Sequence, residues 1–85
     1  MTSDVSVRVL FFARYAELMG REAVDLMVPA GATVAEVLER VRATLPEAGR
    51  LPPRPVCALN LRHVKLDARV AAGDEVALLP PVAGG

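Results

Sequence analysis

Reactive side chains are scarce in this chain, and the group best placed for chemistry is not a side chain. The 85 residues include one cysteine, Cys57, and one histidine, His63. A pair of imidazole ligands, a Cys-His zinc site and an internal disulfide therefore cannot be built from it. Cys57 stands between Val56 and Ala58, where a thiol packs as a small hydrophobe. Nothing in its separation from His63, across a strand end, supports a nucleophile–base dyad. Gly31 and Gly73 stand singly in turns, and no Gly-Lys-Ser/Thr sequence forms a phosphate loop. Asp74 and Glu75 read as groups serving a turn and the solvent.

What remains is the ending Pro80-Pro81-Val82-Ala83-Gly84-Gly85. Proline cannot donate to a sheet ladder, so the apolar strand before it finishes by Leu79. Two prolines favour a stiff, extended exit, and two glycines carry no side chain that would obstruct another protein's active site. The expectation is a backbone carboxylate on a thin stalk, residues 80–85, reaching roughly 20 Å from a body formed by residues 1–79. The competing reading is a frayed terminus without a role.

The body must position that stalk. Val5 to Phe12 is rich in β-branched and aromatic residues and predicts a strand, with Val5, Val7, Val9 and Phe11 on one apolar face. Ala13 to Met19 predicts a short helical turn closed by Gly20. Ala23 to Val28 alternates, with Val24, Leu26 and Val28 inward and Asp25 and Met27 outward. Thr33 and Glu36 match a capping box, and Val34, Val37, Leu38, Val41 and Leu45 recur at helical spacing until Pro46. Glu47 to Pro55, with three prolines and a glycine, reads as loop. Val56 to Leu61 predicts a strand, Asn60 to His63 a turn, Val64-Lys65-Leu66 a short strand, and Glu75 to Leu79 the last one.

This order, β-β-α-β-β-β, predicts an α+β fold in which one main helix lies across a mixed sheet, the β-grasp arrangement. The first and last strands would be central neighbours, with Val7, Val9, Phe11, Val76 and Leu78 facing the helix. Alternation then sends Leu10, Phe12, Met27 and Leu79 to the uncovered face. A contiguous apolar cluster there reads as a partner surface beside the strand that launches the stalk. The alternative is that the proline-rich loop folds over it.

Composition narrows the partners. Formal net charge is zero and the basic residues are scattered, which argues against nucleic acid and anionic membranes. The start, Met1-Thr2-Ser3-Asp4, is not basic, and Arg8 interrupts the apolar run after it; no signal peptide or membrane span is read, and the expected location is cytoplasmic.

Three segments carry a resemblance: Val9-Leu10-Phe11-Phe12-Ala13, Ala58-Leu59-Asn60, and Gly73-Asp74-Glu75-Val76 through Leu79-Pro80-Pro81-Val82-Ala83-Gly84-Gly85. Together they resemble the small subunits of molybdopterin synthase, ubiquitin-like sulfur carriers with the β-grasp fold. The resemblance implies that an E1-like adenylating enzyme, using ATP, activates the Gly85 carboxylate. A sulfur donor then converts it into a thiocarboxylate, with Gly84 giving the tail access to active sites. The sulfur would pass to a cyclic pyranopterin precursor within the large subunit, which holds the catalytic residues; the small subunit binds no cofactor or metal of its own. It also implies that Phe12, Leu10, His63, Leu79, Pro80, Pro81 and Val82 meet that large subunit, with His63 departing from an apolar surface. Related carriers serving thiamine, tRNA thiolation or cysteine synthesis, and protein modifiers, share the Gly-Gly ending and stay open.

Overall fold

The computed structural model describes residues 3–81. Its elements, in order, are β1 (Asp4–Phe11), α1 (Arg14–Met19), β2 (Ala23–Pro29), α2 (Val34–Thr44), a 3-10 turn (Pro46–Arg50), β3 (Val56–Leu59), β4 (Arg62–Val64) and β5 (Glu75–Leu79). The five strands form one mixed sheet in the order β2-β1-β5-β3-β4. β1 runs parallel to β5, pairing Val9 with Val76 and Phe11 with Leu78, while every other pairing is antiparallel. The expected central pair and the β-grasp arrangement are therefore present.

α2 forms for the reasons its sequence predicts. The Thr33 hydroxyl accepts from the Glu36 amide (3.2 Å), and the Glu36 carboxylate accepts from the Thr33 amide (3.0 Å). The two amides between them are satisfied from outside the helix: Val34 and Ala35 donate to the carbonyls of Ala68 and Leu66 at 2.8 and 2.9 Å. The free donors of the first turn are thus all used. The apolar stripe of the helix, Val34, Val37, Leu38 and Val41, is buried against Val7, Val9, Phe11, Val76 and Leu78. α1 ends at Gly20, whose φ of 68° closes the helix in the left-handed conformation that glycine adopts without strain.

Three boundaries differ from expectation. β3 stops at Leu59, and a two-residue turn at Asn60 and Leu61 starts β4 at Arg62 rather than Val64. Leu66 belongs to the connection whose carbonyls cap α2. The stretch from Glu47 to Pro55 is not wholly irregular, because its opening 3-10 turn buries Ala48 and is followed by buried Leu51. Both side chains join the core on the helical side of the sheet, so this stretch packs with α1 and α2 instead of covering the opposite face.

Candidate functional site

The uncovered sheet face is assembled by register. β1 alternates, so Val7, Val9 and Phe11 enter the core while Ser6, Arg8 and Leu10 face outward. Directly paired residues share a face. Leu10 is therefore in one row with Ala23 on β2, Ala77 on β5, Ala58 on β3 and His63 on β4. Leu79 and Val56 form the next row towards the end of β5.

These residues border an apolar hollow of about 170 Å³ lined by Leu10, Phe12, Ala58, Leu61, His63, Glu75, Ala77 and Leu79. Ala58 and Ala77 supply its floor, because a short side chain at each leaves space between taller neighbours. Phe12 stands at one wall, 45% exposed, and Leu10 and Phe12 also border a second hollow of about 360 Å³ against α1. Phe12 is the residue after β1; its carbonyl accepts from the Tyr15 amide (3.0 Å) as the chain turns into α1. Val56 is 42% exposed and Leu61 is 92% exposed.

The opposite end of the hollow is held by hydrogen bonds. The Asn60 amide donates to the Glu75 carbonyl, and the Asn60 side-chain oxygen accepts from the Glu75 amide, both at 2.9 Å. The Asn60 Nδ2 donates to Asp74 Oδ1 (2.9 Å), and Asp74 Oδ2 accepts from the Ala71 amide (2.7 Å). Asp74 thus serves its turn, as expected, and Asn60 ties the β3–β4 turn to the start of β5.

Of the residues expected at a partner surface, Leu10, Phe12, His63 and Leu79 come together around the hollow, with Pro80 half-buried and Pro81 exposed beyond it. Val82, Gly84 and Gly85 lie outside the described residues. Met27 does not join the cluster: it pairs with Ser6, and the Arg8–Asp25 ion pair (3.0 Å) stands between it and Leu10. The hydrogen bond and charge of Asp25 raise the pKa of the Arg8 guanidinium. Leu61, Val56 and the alanine floor escape a reading based on alternation alone. The available signal for Leu61 was Asn60, a residue that favours left-handed turns and could have ended the strand two residues early.

The remaining chemical candidates are quiet. Cys57 faces the core, opposite in direction to His63, which pairs with outward-facing Ala58, so no dyad forms. Burial pushes the Cys57 thiol up to about 11, leaving it protonated, and its Sγ donates to the Pro55 carbonyl at 3.4 Å. Among the described residues no group of three or more His, Cys, Asp or Glu side chains could hold a metal ion. None of their helices is long and apolar enough to cross a membrane. What the described residues offer is a partly exposed apolar hollow beside β5.

Comparison with known proteins agrees with this geometry. The ThiS family model matches residues 9–85. The molybdopterin synthase sulfur carrier subunit of Arabidopsis thaliana is 36% identical over 84 residues, covering 99% of this chain and 88% of that protein. The crystal structure of SAMP1 from Haloferax volcanii matches with a TM-score of 0.79 and 33% identity, over 94% of this chain and 99% of that one. A chain in the protein–protein complex of subunits 1 and 2 of molybdopterin-converting factor from Helicobacter pylori matches with a TM-score of 0.59 and 27% identity, over 95% and 100% of the two chains. With a family match that spans nearly its whole length and a β-grasp sheet to carry it, this chain belongs to the ThiS family and is a ubiquitin-like sulfur carrier.

Proposed function

We propose that this chain is the sulfur-carrier subunit of a molybdopterin synthase. Residues 1–79 are the body and residues 80–85 the tail that it presents. An E1-like enzyme joins the Gly85 carboxylate to AMP from ATP, which turns a poor acyl donor into a mixed anhydride. A sulfur donor displaces AMP and leaves a thiocarboxylate, anionic and nucleophilic at neutral pH as a cysteine thiolate is. The tail then enters the large subunit and gives its sulfur to a cyclic pyranopterin precursor. Gly84 and Gly85 carry no side chain to obstruct a channel, and Pro80-Pro81 reduces the entropy lost when the tail is ordered in it.

The observation that carries this reading is the full-length similarity to molybdopterin synthase sulfur carrier subunits, within a family match that extends to residue 85. The chain contributes no catalytic side chain in this scheme, and requires no bound cofactor; ATP is consumed by its activating partner. Phe12, Leu10, His63 and Leu79 form the surface that meets the large subunit.

A second reading, a protein modifier joined to lysines, is favoured by one observation: the similarity to SAMP1, a small archaeal modifier protein. Intact mass after incubation with the adenylating enzyme, ATP and a sulfur source separates the two. The carrier gains the mass difference of one oxygen replaced by sulfur, and reconstitution with the large subunit then yields dithiolene product. Deleting Gly85 abolishes both signals while leaving the melting temperature nearly unchanged. Chain-to-lysine conjugates without product formation would support the modifier, and a terminus that never gains sulfur would overturn the carrier.

A further inference from the structure

Three non-glycine residues among those described have left-handed φ: Ala13 at 51°, Asn60 at 50° and Leu61 at 74°. Asn60 and Leu61 form the turn between β3 and β4, Leu61 bordering the apolar hollow, and Ala13 borders the second hollow with Phe12. Asparagine tolerates this conformation; leucine does not. A two-residue hairpin turn with positive φ at both positions normally carries Asn-Gly, and Leu61 stands where that glycine belongs. It incurs a second penalty as well, since its side chain is 92% exposed, against 45% for Phe12 and 42% for Val56. The turn is pinned by the hydrogen bonds of Asn60, so Leu61 cannot withdraw. A residue that is both strained and solvated is retained where something outside the chain compensates it.

We propose that Leu61 is an anchor by which this chain docks the large subunit that receives its tail, a residue additional to Phe12 and Leu79. This rests on the sulfur-carrier reading. The occupant follows from chain length. Residues 82–85 span at most about 14 Å when fully extended, so the protein that takes Gly85 must lie within that distance of Pro81. Pro81 stands two residues beyond Leu79, which lines the hollow that Leu61 also borders. The hollow is apolar except for His63 and Glu75, so the matching surface is apolar too. Leu61, at the turn tip, extends apolar contact past the interruption made by His63.

The test is a calorimetric titration of the cognate large subunit with the native chain and with Leu61→Gly and Leu61→Asn. Both substitutions suit the turn, so the melting temperature of the free chain should stay level or rise by a few degrees. Loss of a fully exposed leucine from the contact should weaken binding by about 10- to 100-fold. Met27→Ala, on the same face but beyond the Arg8–Asp25 pair, should leave binding unaltered. Stability and affinity moving in opposite directions is a result that a merely structural residue cannot produce. The proposal is overturned if both variants bind within about twofold of the native chain, or if both melt several degrees lower. It is also overturned if Leu61→Gly instead dissolves a self-associated form of this chain. Native binding with unaltered variants would remove Leu61 and spare the carrier reading; absence of native binding would remove both.

Discussion

Phe12→Ala removes a ring that is 45% exposed in the free chain. A phenylalanine offers roughly 200 Å², so about 90 Å² of this residue is left for a partner to bury. At about 25 cal/mol per Å² that area is worth about 2.3 kcal/mol, or about 50-fold in Kd. The portion already covered by the chain itself contributes to folding, at most about 2.8 kcal/mol because the denatured ensemble buries some of it anyway. The variant will therefore melt several degrees lower, and binding should be measured well below that temperature, with circular dichroism confirming the fold. Phe12→Asp should weaken docking further, since a carboxylate must then be desolvated at the contact. Calorimetric titration against the large subunit reads both variants at fixed salt. A folded Phe12→Ala protein that binds within about threefold of the native chain would show that the partner does not cover this side of the hollow, and the assignment of the outer face would fail.

Thr33→Ala deletes the hydroxyl that accepts from the Glu36 amide, while Leu66 and Ala68 still hold the two preceding amides. The expected cost is about 1 kcal/mol, a fall of about 4–8 °C in Tm by thermal denaturation, largely restored in Thr33→Ser and without effect on docking. Cys57, protonated and buried, should react with iodoacetamide at pH 8 far more slowly in the native chain than in denaturant; equal rates would contradict its burial. Its proton is held in the folded state up to about 11 but released near 9.0 when unfolded. The unfolded chain thus binds fewer protons across that interval, and this thiol lowers stability as pH rises through it. Cys57→Ala should lack that part of the alkaline decline in urea midpoints.

Several elements were legible because their causes are local. The Thr33–Glu36 box and the stripe from Val34 to Val41 define α2 from side-chain chemistry and a 3.6-residue period. Gly20 closes α1 because the required backbone conformation suits glycine. Pro80 ends β5 because it lacks an amide proton. The misread segments are those settled by competition between distant groups. Val64-Lys65-Leu66 has a respectable strand pattern, yet the Asn60 turn, fastened to Glu75 and Asp74, pulls the pairing to Arg62–Val64. Leu66 then offers its carbonyl to α2. Likewise Ala48 and Leu51, within a stretch rich in prolines, are buried only because α1 and α2 leave an apolar opening beside them.

Met27 makes the boundary between the two kinds of information plain. Alternation sends it outward with Leu10 and Phe12, and it does face outward, half exposed. The direction of a side chain is set by its own backbone, so the amino-acid sequence determined it. Membership of one surface is set by neighbours brought from elsewhere in the chain. By inserting β5 between β1 and β3, the folded sheet aligns Leu10, Ala77, Ala58 and His63, places Leu61 at their rim, and leaves Met27 behind the Arg8–Asp25 pair. Strand order and register are properties of long-range pairing, and only the tertiary structure decided them.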